Sequence, residues 1–453
     1  MRLPKDQEKK LLVEKKLQEF TFDNMVKFLR RTIGLFPDKR TGDNIRYRIE
    51  DAGLGAFSVF FTQSPSFLSF QKSMLKNKGN SNAQSLFGMQ KIPCDNHIRD
   101  LMDVVPAYYL YPVFNYIIQG LAESGYLNVF RSYNNNLLAA LDATQYFSSK
   151  TIHCENCSIK KHENGSKTYS HSAITPVFVA PGNKQVISLP PEFITPQDGH
   201  QKQDCENAAA KRWLNQWAPT YKALGITILG DDLYCNHPLC DLILSLGLDF
   251  ILVCKPDSHQ TLYQWLEELD GLDAVETVVE KRWTGKSYHI DTYRFLNQLP
   301  LRDSQDALQV NWCELTTTSS TGKRIYKNAF ATNFEISKNN VKQIVADGRA
   351  RWKIENENNN VLKTKGYHLE HNFGHGKKHL SSLLLTLNLL AFLFHTVLEM
   401  MDTKYKQIRE DLPTRKTFFD DLRALTRYIC FDSWDAMLTF MAKGLELDIP
   451  DTS

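Results

Sequence analysis

ITILGDDLY (226–234), LCDLILSLG (239–247) and DFILVCKP (249–256) follow one another in a single run of chain. The first and third are short, continuous apolar stretches, the pattern of a strand buried on both faces. The middle one spaces Leu and Ile as a helix does. The first strand ends in acids, Asp231 and Asp232. Upstream, LLAALDATQYF (137–147) reads as another buried strand ending in an acid, Asp142. Between them come two β-like runs, AITPVFVA (173–180) and KQVISLPPEFI (184–194), joined by the turn Pro181-Gly182-Asn183. A helical segment, DCENAAAKRWLNQW (204–217), completes the series.

The resulting order is strand, strand, strand, helix, strand, helix, strand. That is the order of an α/β, ribonuclease-H-like mixed-sheet core, with an Asp on its first and fourth strands. Downstream, residues 273–335 are rich in Val, Thr, Tyr and Trp, with a turn at Ser320-Thr321-Gly322, and read as a β-rich insertion. Residues 337–365 read as one long polar helix entered through a Ser337 N-cap. The expected organisation is a helical, basic, DNA-end-binding domain over 1–130. The first part of the core follows over 137–272, with a Cys/His-rich loop at 151–172. The insertion occupies 273–335, the core completion with its catalytic helix 336–400, and a helical C-terminal segment 401–453. KNKGNSNAQS (76–85) reads as a loop or internal linker.

A chain of 453 residues suggests two or three domains, and 42% hydrophobic against 23% charged residues indicates a sizeable core rather than disorder. MRLPKDQEKKLLVEKK carries no apolar core of a signal peptide. Leu380–Leu398 is nearly long enough to span a bilayer but contains Ser381, Ser382, Thr386, Asn388 and His395. A helix enclosed by protein fits that composition better. Nine scattered cysteines read as reduced thiols, so a soluble, cytoplasmic protein is expected.

Hard divalent cations such as Mg²⁺ take carboxylate oxygens and retain waters and substrate phosphates. Two of them about 3.5–4 Å apart stabilise both oxygens of an in-line phosphoryl displacement. A single strand-terminal Asp is ordinarily a turn or cap residue. Two of them, Asp142 and Asp231, at matching places in this strand order point towards metal chemistry.

Three segments carry a resemblance: LLAALDATQYF, LGDDLYCNHPLCDLILSLGLDFILVCK and RARWKIENENNNVLK. Together they resemble the DDE transposases of the insertion-sequence four type, over roughly residues 137–400. Residues 1–130 carry no matching motif. The resemblance implies that Asp142, Asp231 and Glu355 hold two Mg²⁺ (or Mn²⁺) ions and cut element ends before strand transfer into target DNA. It also implies a homodimer in a synaptic complex, a prokaryotic, nucleoid-associated setting, no membrane and no organic cofactor. The rivals are a ribonuclease-H-like nuclease without strand transfer and a catalytically silent, transposase-derived DNA-binding protein.

The family pattern puts a Tyr three residues after the catalytic Asp, so Tyr234 selects Asp231, and strand alternation points Asp232 to the opposite face. On a regular helix at about 100° per residue, Arg351 lies about 40° and Lys363 about 80° from Glu355. Both lie about 120° from Glu357, which favours Glu355. Two departures stand out. Gly348 occupies the position where the family usually has Tyr, and Lys363 falls one residue later than expected. Arg351 reads either as a bidentate phosphate ligand or as an i,i+4 partner of Glu355. Trp352 reads either as a base-stacking residue, as the resemblance implies, or as core; Trp283 and Trp312 are weaker candidates of the same kind. Lys363 completes the DNA-contact set.

HCENCSIKKHENGSKTYSHS offers Cys154, Cys157, His162 and His171, a soft ligand set suited to structural Zn²⁺ or else an incidental feature of a polar hairpin. His368, His371, His375 and His379 follow further on, and DNA-backbone contact fits them as well as metal does; no ligand is assigned among them. The net charge of +3 is an average. Residues 1–50 hold thirteen Lys/Arg against eight Asp/Glu, and residues 338–379 hold nine against four, so each segment carries +5 and the remainder −7. Near-neutrality therefore does not exclude a DNA substrate.

Overall fold

The computed structural model describes residues 20–41, 45–75, 77–198 and 202–448. The helix read over LLVEKKLQEF lies, except for Phe20, outside the described residues. The chain is mixed α/β, organised on a mixed sheet. β1 (Leu137–Ala140) lies parallel to β8 (Ile226–Gly230), and β8 parallel to β9 (Asp249–Val253). On its other edge β1 pairs antiparallel with β5 (Val177–Val179), which pairs with β6 (Ile187–Ser188). All of β1, β5, β6 and β8 is buried, as their unbroken apolar runs require of strands covered on both faces.

The four β-insertion strands are β10 (Glu276–Trp283), β11 (Tyr288–Pro300), β12 (Gln309–Ser319) and β13 (Arg324–Thr332). They form an antiparallel meander whose last strand pairs with β9, at Phe330↔Val253 and Ala331↔Leu252. The insertion therefore extends the central sheet to nine strands, in the order β10-β11-β12-β13-β9-β8-β1-β5-β6. Beside it sits a four-stranded sheet of β2 (Ala143–Ser149), β3 (Ser158–Lys161), β4 (Lys167–Ile174) and β7 (Glu192–Ile194). The run AITPVFVA is thus divided between two sheets. Pro176 has no N–H to donate to a continuing ladder, and the chain crosses from β4 to β5 there.

Helices α1 (Phe22–Ile33), α2 (Ile49–Phe61), α3 (Phe67–Met74), α4 (Asn77–Phe87), α5 (Asp95–Met102) and α6 (Tyr111–Glu123) precede the sheet. Helix α7 (Lys202–Tyr221) leads into β8, α8 (His237–Ser245) links β8 to β9, and α9 (Gln260–Asp270) follows β9. The polar stretch read as a linker is helix α4. Its Asn82 side chain donates to the carbonyls of Thr426 and Ile429 at 2.6 Å and accepts from Phe431 N–H at 2.9 Å, all in distant chain. A buried polar bridge, invisible to local composition, holds it as a helix.

The region read as one long helix is α10 (Val341–Ala350), a π segment (Ile354–Asn359) and α11 (Asn360–Thr364). Ser337 does not cap it. Helix α10 starts after Asn340, whose side chain accepts from Ser337 N–H and donates to Glu335 O and the Tyr133 hydroxyl. Gly348 lets α10 lie against the sheet: a Cβ there would come within 2.7 Å of the Phe330 ring and 3.0 Å of Ile251. That contact accounts for the departure at this position, since a large side chain has no room.

Helix α12 (Leu380–Met401) is the one described helix long and apolar enough to cross a membrane, and most of it is buried inside the protein. Its Asn388 donates to Tyr367 O, and its His395 Nε2 donates to Phe61 O at 2.8 Å while Nδ1 accepts from the Tyr405 hydroxyl at 2.9 Å. Helices α13 (Thr403–Asp411), α14 (Arg415–Tyr428) and α15 (Trp434–Gly444) close the chain. Rings of Phe22, Phe57 and Phe61 from the first helices pack on Phe394 of α12 or Trp434 of α15, so one core joins both ends of the chain.

Candidate active site and metal centre

The register of β1 and β8 brings the first two acids together. Ala140 faces Leu229, and Leu141 N–H donates to Leu229 O at 2.8 Å, so Asp142 and Asp231 leave the same end of neighbouring parallel strands. Both are partly exposed. Asp231 Oδ1 accepts from Leu233 N–H at 3.0 Å in a tight turn, and Tyr234 N–H returns to Asp231 O. Asp232 points elsewhere: its carboxylate accepts from Lys255 N–H and the Ser258 hydroxyl, bracing the exit from β9.

The π segment supplies the third side. Asn359 Nδ2 donates to Asp142 Oδ2 at 3.4 Å, and its Oδ1 accepts from the Thr175 hydroxyl at 2.8 Å. Four residues nearly complete a turn in either α or π spacing, so Glu355 lies one turn before Asn359. Glu357 lies beside Lys353, whose ammonium donates to Asn183 O. The regular-helix angles do not apply over this segment, because the helix here is not regular. Glu355 is exposed, and the three carboxylates are not drawn to within 4.8 Å of one another.

Tyr234 lies at the centre of this group, fully buried. Burial pushes its phenol well above the ordinary value; the anions of Glu206, Asp142 and Asp231 add to the effect, and Arg351 opposes it. Glu206, on α7, is an acid that sequence reading passed over. The available signal was its position one helical turn before Ala209 and Ala210, both fully buried, which places it on the inward face. The Arg351–Glu355 ion pair does not form; Arg351 instead lies near the acids around Tyr234. Trp352 is 48% exposed and Trp283 56%, the latter with its ring centroid 4.8 Å from that of Tyr288, whereas Trp312 is 0% exposed and donates to the Tyr263 hydroxyl at 3.3 Å. Trp312 is core: its ring has no face for a base. Lys363 is paired with Glu370 at 2.9 Å.

Asp142 and Asp231 offer partly exposed carboxylate oxygens, a donor type that hard divalent cations take.

A second cluster is built from distant segments. Cys154 and Cys157 form a knuckle between β2 and β3, in which Cys154 N–H donates to Cys157 Sγ at 3.4 Å and Cys157 N–H to Cys154 O. His171 comes from β4, and His375 from the loop after α11. The Sγ atoms lie 3.9 Å apart. His171 Nε2 is 3.5 and 3.4 Å from them, His375 Nε2 is 3.4 Å from Cys157 Sγ, and the two Nε2 atoms are 3.1 Å apart. Tetrahedral zinc with bonds of about 2.3 Å to sulfur and about 2.0–2.1 Å to nitrogen implies edges of about 3.8, 3.6 and 3.3 Å for S–S, S–N and N–N. Five of the six edges lie close to those lengths, and the sixth, Cys154 Sγ to His375 Nε2, is within 4.8 Å. His375 Nδ1 donates to Gly376 O at 2.9 Å, leaving Nε2 as the ligand atom. Burial, with His375 adding, lowers His171 to about 4, and burial first of all raises Cys157 to about 11.

His162 is not in this group. It is exposed, and its Nε2 pairs with the Thr168 hydroxyl at 2.8 Å at the far end of the β3–β4 hairpin. The fourth member of the cluster is His375, whose sequence signal is its setting, Gly374-His375-Gly376. Gly376 has φ +68, and a Cβ there would lie 2.1 Å from Asp103 Oδ1. Asp103 accepts from the N–H groups of Lys377, Lys378, His379 and Leu380. Burial raises its pKa, but these four donors outweigh that and leave it lowered. Among the described residues one other group of thiols and imidazole converges similarly, Cys235, Cys254 and His259.

No protein-family model matches this chain, and no curated protein is significantly similar to it.

Proposed function

We propose that this protein is a DNA transposase of the DDE type, with a ribonuclease-H-like core in which Asp142, Asp231 and Glu355 are the metal-binding acids. The observation that carries the reading is the pairing of β1 with β8. Three antiparallel strands (β1, β5, β6) and two further strands parallel to β1 (β8, β9), in the order β6-β5-β1-β8-β9, support this reading, because a ribonuclease-H-like core would order its strands in this way. Asp142 and Asp231 follow its first and fourth strands.

Each side chain has a part in that reading. Asp142 is oriented by Asn359, itself held by Thr175. Burial and the surrounding anions keep the Tyr234 phenol protonated, so it adds no charge beside the acids. Arg351 brings a planar cation to the same place, suited to a bidentate grip on a DNA phosphate. The open face of Trp352 is suited to stacking on an unpaired base. A pair of bound divalent cations supplies Lewis-acid stabilisation of the attacking and departing oxygens. Cys154, Cys157, His171 and His375 hold a structural Zn²⁺ that ties the small sheet to the segment following the Glu355 helix.

The test uses DNA carrying the sequences that flank the gene, incubated with the full chain and Mg²⁺. Cleavage at those flanks and joining of pre-cut ends to a second DNA are expected, both lost in Asp142→Asn. Cleavage without joining would convert the reading to a nuclease. Binding with no difference between wild type and Asp142→Asn would leave a silent DNA-binding protein.

A further inference from the structure

The loops leaving β8 and β9 bring together three groups that the chemistry above does not use. Cys235 immediately follows Tyr234, Cys254 immediately follows β9, and His259 precedes α9. Their ligand atoms all lie within 4.8 Å of one another, and the residues are 2%, 1% and 7% exposed. Three buried groups on two loops converge on one point. Simple core packing does not require an imidazole there.

His259 Nε2 is buried without a hydrogen-bond partner, an arrangement that ordinarily costs about 1–3 kcal/mol. Its nearest anion, Asp232 Oδ1, lies 3.4 Å away, at ion-pair distance. Two thiols and an imidazole are the soft, borderline donors that select zinc over magnesium.

We infer that Cys235, Cys254 and His259 form a second zinc site. It pins the loop that carries Asp231 and Tyr234 to the exit of β9. The site depends neither on the transposase reading nor on the Cys154–His375 cluster.

The full chain, produced with zinc in the medium and purified without chelator, is expected to contain two zinc ions per molecule by mass spectrometry of the metal. Cys154→Ser/Cys157→Ser is expected to retain one, and Cys235→Ser/Cys254→Ser to retain the other. One zinc in the wild type that disappears in the first double variant and persists in the second overturns the inference. So does a wild type with none. Should the second double variant fail to fold, cobalt substitution of Cys154→Ser/Cys157→Ser decides. A thiolate-to-cobalt charge-transfer band that is lost on His259→Asn supports the site, and absence of the band overturns it.

Discussion

His171 Nε2 and His375 Nε2 stand 3.1 Å apart although 204 residues of chain separate them. The contact joins a strand of the small sheet to the loop between α11 and α12. Metal bound there would close a very long loop, the situation in which a cross-link restricts the unfolded chain most.

His375→Asn is therefore expected to lose one equivalent of zinc and to lower the melting temperature by several degrees. His162→Asn is expected to keep the metal and cost less than about 0.5 kcal/mol, as for a surface substitution. Metal analysis and thermal unfolding of the two variants side by side check this; equal loss in both would restore His162 as the ligand.

Glu355 and Glu357 are separated by which face of the π segment they occupy. In a cleavage assay Glu355→Gln is expected to reduce the rate on the order of 10²–10³-fold or more, the scale of losing one preorganised electrostatic group. Glu357→Gln is expected to stay within about threefold of wild type. A reversed order would mean that the helix face towards Asp142 has been assigned to the wrong acid.

Gly348 packs where a side chain would meet Phe330 and Ile251. Gly348→Tyr, which brings the sequence closer to the transposase pattern, is expected to destabilise by about 1–3 kcal/mol or more through overpacking. Chemical denaturation would show this as a lower midpoint, and an unchanged midpoint would mean that α10 can lift from the sheet at no cost.

His395 sets an acid limit. Burial lowers it from 6.5 to about 3, so as pH falls the unfolded chain takes up this proton first. Its contribution is complete above pH 6.5 and is lost progressively as pH falls towards 3, at up to about 1.4 kcal/mol per pH unit. His395→Leu should show a shallower decline of stability between pH 6.5 and 4.5 than wild type, measured by denaturant midpoints. Parallel declines would place the acid-sensitive group elsewhere.

Strand and helix types along much of 137–256 were legible from continuous apolar or 3.6-periodic runs, but the runs 137–147, 173–180 and 184–194 each divide between two sheets, which local patterning does not record. Asp142 and Asp231 were legible as strand-terminal acids from the same apolar runs. The helix Asn77–Phe87 was not, because its Asn82 side chain is satisfied by carbonyls of Thr426 and Ile429 more than 300 residues away. Nor was the break at 351–359: its backbone stays helical while the hydrogen-bond spacing changes, and no Pro or Gly marks it.

The sequence by itself determined the alternation of elements, the positions of the acids at strand ends, and the Cys-x2-Cys knuckle. All of these are short-range properties of period and turn chemistry. Only the tertiary structure decided that His375 rather than His162 joins Cys154, Cys157 and His171, that Trp312 is core, and that Glu206 faces Tyr234. Ligand convergence and burial are set by which surfaces meet across the whole chain, and the spacing of residues along it carries no record of that.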